Sequence, residues 1–264
     1  MNTVVSADGT TIAYSRTGEG PPVILVDGAM CYRDFGPATP LAKLLAPHFT
    51  VFTYDRRGRG ESADTKPYAV EREIEDIEAL IKEAGGSARV YAVSSGAPLA
   101  LDAAARLGGI TKLAVYEAPF IVDDSHPVRP DDYLETMDGL IAAGRRGDAL
   151  TLFMRTVGVP RIAIAMMRLM PTWSKLKAVA HTLPYDFRIL GDTGSGRPLP
   201  TDRWSSVTVP TLVMDGGKSP TYMRNGMRSL AEILPDARYR TLEGQTHMLK
   251  SQAVTPVLVD FFGG

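Results

Sequence analysis

Cysteine is almost absent from this sequence, which contains a single one, Cys31, in 264 residues. One cysteine excludes an internal disulfide and suits a reducing cytoplasm, which is the location that we expect. Long apolar runs are missing too, since none approaches the roughly 20 residues that span a bilayer. The first ten residues, MNTVVSADGT, have neither a basic start nor an apolar stretch, so we expect no signal peptide.

An excess of charge is also lacking. Lysine and arginine number 29 against 30 aspartates and glutamates, which gives a net charge of -1, whereas a nucleic-acid-binding surface needs a basic excess. The sequence shows no metal-ligand cluster, and the glycine-rich GDTGSG at 191–196 has neither a preceding strand nor a lysine. These features predict a protein with no cofactor or metal and with no nucleic-acid or membrane partner.

Strand patterns alternate with helical patterns over much of the chain. Apolar runs typical of buried strands begin at Pro22, Phe49, Val90, Lys112 and Val207, and a further strand pattern begins at Ala237. Helical periodicity lies between them, for example in residues 71–84, which two glycines follow. This alternation predicts an α/β fold with a mostly parallel sheet that helices cover on both faces.

Residues 120–205 interrupt the alternation with helical patterns that prolines and glycines break. We therefore predict one core made of residues 1–119 and 206–264, and a helical cap made of residues 120–205. An insertion at one end of a parallel sheet is placed to act as a lid over a site there.

The stretch VYAVSSGAPLA, Val90–Ala100, passes directly from a strand pattern into a helical one. Within it AVSSG matches the G-x-S-x-G turn that exposes a nucleophilic serine, with Ala92 in place of the first glycine. Small residues are needed around that turn because its backbone passes close to its neighbours. Ser94 is therefore the candidate nucleophile; the alternative is that Ser94 and Ser95 only cap the helix that follows.

The sequence has four histidines, of which one lies where a general base is needed. In the order nucleophile, acid, histidine, the base follows the last strand near the C-terminus. His247 has that context, because TLEGQTHML consists of the end of a strand, a glycine and a loop. His48, His126 and His181 are expected to have packing or surface roles.

Four blocks occur in an order that resembles the α/β-hydrolase superfamily: VILVDG followed by Ala29, YDRRGRGES at Tyr54–Ser62, AVSSG, and EGQTH. The resemblance covers essentially the whole chain, and YEAPF at Tyr116–Phe120 is similar to a segment of many actinobacterial hydrolases. It implies an α/β-hydrolase sheet with a cap insertion and a triad of serine, histidine and acid. The oxyanion hole is then expected to use the backbone N–H groups of Ala29 and Ser95.

The loop after the first buried strand departs from that pattern. Relatives usually have His-Gly where this chain has Asp27 and Gly28, which places a carboxyl group near the site. We expect these two residues and Cys31 to lie in the substrate-binding region, and Asp27 could instead pair with Arg33 or Arg57. A lone cysteine is more often a packing residue than a nucleophile.

The position of the triad acid also departs from the common pattern. Most relatives have it three residues after the glycine of the strand PTLVMDGG, but counting from Gly216 that position is Ser219. Two carboxylates remain as candidates: Glu117, at the end of the strand before the insertion, and Asp215, at the end of the later strand. One branch of the superfamily, which includes the haloalkane dehalogenases, takes its acid from the position of Glu117.

Together these residues predict a serine hydrolase that cleaves a small ester, lactone or thioester, with Ser94 as nucleophile and His247 as base. We expect an apolar or acyl substrate in contact with Phe120, Met166 and Met170, although packing between helices would use the methionines equally well. The first alternative is an acyltransferase, a cyclase or lyase, or a cofactor-free oxygenase on the same fold. The second is a non-catalytic ligand receptor. The oligomeric state stays open.

Overall fold

The computed structural model describes residues 2–264, in which eight strands form a single sheet. The strands are β1 (Asn2–Val5), β2 (Thr11–Thr17), β3 (Pro22–Val26), β4 (Thr50–Tyr54), β5 (Ala88–Val93), β6 (Ile110–Tyr116), β7 (Thr211–Gly216) and β8 (Ala237–Leu242). Their order across the sheet is β1-β2-β4-β3-β5-β6-β7-β8. The pairs β1/β2 and β2/β4 are antiparallel and all the others are parallel.

Helices connect the parallel strands. They are α1 (Ala38–Leu45), α2 (Val70–Glu83), α3 (Gly96–Arg106), α4 (Tyr133–Ala142), α5 (Arg146–Thr156), α6 (Arg161–Met167), α7 (Pro171–Val179), α8 (Leu183–Leu190), α9 (Thr221–Ile233) and α10 (Ser251–Gly263). Within residues 2–264 no helix is both long and apolar enough to cross a membrane.

Two apolar cores, one on each face, hold the sheet. In β3, Val23 and Leu25 pack into the core under α1 and α10, whereas Ile24 and Val26 pack into the core shared with α2, α3 and the insertion. Alternate residues of a strand point to opposite faces, so a strand buried on both faces is apolar throughout. The α/β fold with a mostly parallel, doubly covered sheet is therefore confirmed.

The segment from β6 to β7 is helical. Residues 117–210, all of which the structure describes, contain α4 to α8 and a short 3₁₀ turn at Ala180–Thr182, and no strand. Helix α8 packs against α2 and α3, so this segment lies on the core beside the turn from β5 to α3. Its last part is tied to α3, because Asp102 accepts hydrogen bonds from Arg203 Nη2 at 2.8 Å and from Trp204 Nε1 at 2.8 Å.

Candidate active site

Backbone strain is concentrated at one edge of the sheet. Among residues 2–264, three that are not glycine have a positive φ: Met30 at 65°, Ser94 at 55° and Glu117 at 44°. They follow β3, β5 and β6, which are neighbouring parallel strands, so all three lie beyond the same carboxyl edge. A positive φ is costly for such residues and persists where the surroundings enforce it, which is often at functional sites.

Ser94 occupies a sharp turn that its surroundings hold in place. Its N–H donates to the carbonyl oxygen of Tyr116 at 3.0 Å, and its own carbonyl accepts from the N–H of Ala97 at 3.0 Å. A β-carbon added at Gly96 would lie 2.6 Å from the carbonyl oxygen of Val26, so only glycine lets α3 begin this close to β3. This strand–turn–helix is the geometry that exposes a nucleophilic serine.

The imidazole of His247 contacts Glu117. Nδ1 lies 2.9 Å from Oε2 of Glu117, although 130 residues separate the two in sequence. The other carboxylate oxygen, Oε1, accepts a hydrogen bond of 2.7 Å from the N–H of Gly216. Because a carboxylate only accepts hydrogen bonds, the proton of the neutral imidazole is on Nδ1, which leaves Nε2 free to accept a proton.

The loop that carries His247 is held by the residue next to this acid. The hydroxyl of Tyr116 donates to the carbonyl oxygen of Thr246 at 2.7 Å. The N–H of Lys218 donates to the carbonyl oxygen of Gln245 at 2.8 Å. Residues at the ends of β6, β7 and β8 therefore hold the loop of His247 in place. The His247 side chain is 34% exposed, and that of Glu117 is fully buried.

Asp215, the other candidate acid, has different partners. Its Oδ2 accepts hydrogen bonds from the hydroxyl of Tyr239 on β8 and from Arg224 Nε on α9, the latter at 3.3 Å. Ser219, which occupies the position where most relatives have the acid, is a buried serine. Of the two carboxylates, the one in contact with His247 is Glu117.

Of the two residues expected to form the oxyanion hole, Ser95 follows Ser94 and Ala29 belongs to a loop that contacts it. Ser95 directly precedes α3, so its N–H lies at the N-terminus of that helix, where backbone N–H groups and the helix dipole favour negative charge. Ala29 follows Gly28, where an added β-carbon would lie 2.7 Å from Cβ of Ser94 and 3.2 Å from its Oγ. The loop after β3 therefore lies directly against the serine side chain.

The expectation that Asp27 pairs with Arg33 or Arg57 is wrong. Arg33 pairs with Asp55 and Glu61, and Arg57 pairs with Asp8 and Asp76. Asp27 is 5% exposed, and burial raises the pKa of its carboxyl from 3.8 to about 7, against the opposing effect of a hydrogen bond from the N–H of Ala38.

We expect Asp27→Asn to remove part of the pH dependence of stability. Folded Asp27 keeps its proton up to about pH 7 and the unfolded chain loses it at about pH 4, so the folded state binds more protons between these values. The free energy of unfolding therefore falls as the pH rises through this window, by on the order of 4 kcal/mol. Urea unfolding should show that the free energy of unfolding falls more between pH 5 and pH 8 in the wild type than in Asp27→Asn. An equal fall in both proteins would contradict this.

Cys31 lies in the same loop and is half-buried. Burial, with the nearby charge of Asp27, raises the pKa of its thiol to about 12. Because the thiolate is the reactive form, this environment disfavours nucleophilic chemistry at Cys31. A contact between its side chain and a substrate stays a prediction.

The apolar side chains expected to contact substrate occupy two different environments. Phe120 is fully buried, with its ring 5.5 Å from that of Trp204, so it has the surroundings of a core residue. Met166 and Met170 are 64% and 54% exposed at the surface of the insertion. A contact between either methionine and a substrate stays a prediction.

The sequence did not predict an aromatic pair between the insertion and α9. The rings of His126, in the insertion, and Tyr222, on α9, lie 4.1 Å apart. Burial raises the pKa of Tyr222, and the negative charge of Glu117 adds to that shift. The sequence carried no signal for this pair, because its members are almost 100 residues apart and neither belongs to a motif.

The sequence did not predict a buried ionic cluster either. Arg56, Arg57 and Arg59 of YDRRGRGES are almost fully buried and pair with acids, among them Asp186 of α8. Three arginines directly after a buried strand were the available signal. Between positions 2 and 264, no group of three or more histidine, cysteine, aspartate and glutamate side chains is placed to hold a metal ion.

Comparison with known proteins gives matches over the whole chain. The model of the alpha/beta hydrolase family matches residues 23–253. An alpha/beta hydrolase from Sphaerobacter thermophilus DSM 20745, known from a crystal structure, is 55% identical, with a TM-score of 0.91 over 99% of this chain and 100% of that one.

Two further relatives are more distant. The enol-lactonase from Burkholderia xenovorans LB400 is 20% identical, with a TM-score of 0.73 over the full length of both chains, and at that identity it shows the fold alone. The uncharacterized hydrolase YraK of Bacillus subtilis (strain 168) is 35% identical over 105 residues. That match spans 38% of this chain and 38% of YraK.

Proposed function

The chain belongs to the alpha/beta hydrolase family, and on that basis we propose that it is a serine hydrolase acting on a small ester, lactone or thioester. The observation that carries the proposal is the contact between His247 and Glu117 at the same sheet edge as the strained turn of Ser94. A histidine oriented by a buried acid is the base that a serine nucleophile requires.

In the proposed reaction, Ser94 Oγ attacks the carbonyl carbon of the substrate while Nε2 of His247 accepts the hydroxyl proton. The N–H groups of Ser95 and Ala29 bind the negative oxygen of the tetrahedral intermediate. Nε2 then protonates the leaving alcohol or thiol, which leaves an acyl group on Ser94. Water, deprotonated by Nε2, releases the acid and restores the serine.

An ester, lactone or thioester presents the carbonyl carbon that a serine nucleophile attacks. The enol-lactonase shares this fold, which makes a lactone one member of the substrate class to test. Exposed apolar residues of the insertion, such as Met166 and Met170, suit an apolar or acyl substituent if the insertion acts as a cap. We place the reaction in the cytoplasm.

Transfer of the acyl group to an acceptor other than water is the second candidate. The observation that favours it is Asp27, a buried carboxyl group in the loop after β3, at a position where relatives usually have histidine. A neutral Asp27 would disturb this loop less than a charged one. A carboxyl group in place of an imidazole also changes the surroundings of the acceptor that attacks the acyl-enzyme.

Hydrolysis in water enriched in oxygen-18 tests the proposal. With p-nitrophenyl acetate or a γ-lactone, we expect the released acid to contain one oxygen from water, in proportion to product formed, because water cleaves the acyl-enzyme. Product that depends on an added alcohol or amine would support the transferase instead. No turnover of any ester, lactone or thioester by the folded protein would favour a ligand receptor.

A further inference from the structure

A buried ionic cluster lies between the insertion and the strained turn, and the proposed mechanism does not use it. Its members are Arg56, Arg59, Glu73 of α2 and Asp186 of α8, each at most 2% exposed. Arg56 Nε donates to Glu73 at 2.6 Å and its Nη1 donates to Asp186 at 2.8 Å. Arg59 Nη2 donates to the second oxygen of Asp186 at 2.7 Å.

This cluster reaches both sides of the oxyanion hole. On one side, the hydroxyl of Ser95 donates to Asp186 Oδ1 at 2.7 Å. On the other side, Arg59 Nη1 donates to the carbonyl oxygen of Gly28 at 2.7 Å, and Arg56 Nη1 lies 3.3 Å from that of Asp27. One carboxylate of the insertion therefore holds Ser95 directly and holds the loop after β3 through the two arginines.

The contact at Gly28 fixes the direction of a catalytic donor. The carbonyl of Gly28 and the N–H of Ala29 belong to the same planar peptide group, in which they point in opposite directions. A guanidinium bound to that oxygen therefore orients the N–H, and it also strengthens the N–H as a donor by polarising the amide. Likewise, the side-chain bond of Ser95 holds the residue whose backbone N–H is the other donor.

We propose that Asp186 is a positioning residue, which sets both N–H donors of the oxyanion hole through Ser95 and Arg59. The proposal rests on the proposed serine-hydrolase function. It makes the cap helix α8 part of the catalytic machinery, so that turnover depends on Asp186 even for a substrate too small to touch the cap.

The electrostatics of the cluster agree with this role. Burial acts to raise the pKa of Asp186, but its ion pairs with Arg59 and Arg56 outweigh burial and hold that pKa below its ordinary value. Two guanidinium groups and two carboxylates balance, so loss of one carboxylate leaves a buried cation without a partner. Such a cation would move toward other acceptors and displace the Gly28 carbonyl.

A second ion pair from the same loop provides a matched control. Arg57 binds Asp76 of α2 through Nε at 2.8 Å and through Nη2, and both residues are buried. Its other contacts are with Asp8 and the carbonyl of Arg72, away from the turn of Ser94. Asp76→Asn therefore weakens a similar buried pair without touching the oxyanion hole.

The test compares Ser95→Ala, Asp186→Asn and Asp76→Asn in the full chain. Turnover of p-nitrophenyl acetate and inhibition by a trifluoromethyl ketone, which forms a tetrahedral adduct with a serine, are measured for each. Since loss of a whole donor costs about 100- to 1,000-fold in kcat, displaced donors should cost about 10-fold in Ser95→Ala and about 100-fold in Asp186→Asn. KM should stay within about twofold, and inhibitor affinity should fall in step with kcat/KM.

Asp76→Asn should lower the melting temperature while kcat and inhibitor affinity stay near those of the wild type. Because Ser95→Ala keeps all the ion pairs, this variant tests the proposal even if Asp186→Asn does not fold. Wild-type kcat and inhibitor affinity in folded Ser95→Ala would overturn the proposal, as would an equal loss of kcat in Asp76→Asn. Wild-type protein without Ser94-dependent turnover would instead overturn the proposed function, and this role with it.

Discussion

Ser94→Ala should lower kcat for an ester by about 10⁶-fold, the loss that removal of the nucleophile causes in a serine hydrolase. Alanine occupies the same strained turn, with its φ of 55°, and it removes one oxygen atom, so the fold should be unchanged. The reason for the loss is chemical, because no acyl-enzyme can form without Oγ. Steady-state kinetics with p-nitrophenyl acetate, beside a thermal melt of each protein, measure the effect.

A second variant shows whether the serine works with the histidine. Residues that act as one unit are not additive, so His247→Ala and the double variant should lose about as much activity as Ser94→Ala alone. A double variant much worse than either single one would mean that the two side chains act independently. Retention of more than a small fraction of activity in Ser94→Ala would point to another nucleophile.

Glu117→Gln should lower kcat by about 10⁴-fold, as loss of the triad carboxylate does in serine proteases. The N–H of Gly216 donates to Oε1, so the amide oxygen of glutamine would remain there and its NH₂ group would face Nδ1 of His247. Nδ1 would then have to accept a hydrogen bond, which places the imidazole proton on Nε2. In that tautomer His247 cannot accept the proton of Ser94.

Asp215→Asn is the matched control for the acid. Asp215 is as deeply buried as Glu117 and lies at the end of the neighbouring strand, but its partners are Tyr239 and Arg224. We expect a loss of stability with kcat within a few fold of the wild type. The opposite pattern, with turnover lost only in Asp215→Asn, would show that the His247–Glu117 contact is not the functional one.

Glu117 and Asp215 show which part of the site the sequence does not predict, namely which carboxylate contacts His247. Both lie at the ends of buried strands of the same sheet, so the pattern of apolar residues places both at the same edge. Which one meets His247 depends on the loop after β8, whose contacts with β6 bridge 130 positions of sequence. Strands β3 to β8, most of the helices and the turn of Ser94 follow from local patterns, whereas β1 and β2 were not predicted and the pairing of His247 with Glu117 needs the folded chain.

The burial of the arginine-rich loop after β4 is also not predictable from the sequence. A run such as RRGRG looks solvent-exposed because guanidinium groups are rarely buried without partners. Their partners here include Asp76 on α2, 19 positions from Arg57, and Asp186 on α8, 130 positions from Arg56. The burial of Phe120 against Trp204 likewise depends on neighbours that the sequence does not specify, and substrate contacts of Phe120 and Met166 stay predictions.

Covalent labelling of Ser94 tests the central claim most directly. A fluorophosphonate reacts with an activated serine, and mass spectrometry of the intact protein followed by peptide mapping locates the adduct. We expect one phosphonyl group per chain, on Ser94, with no labelling of Ser94→Ala and slow labelling of Glu117→Gln. A folded wild-type protein that stays unlabelled at high probe concentration, or that is labelled at another residue, would contradict the account.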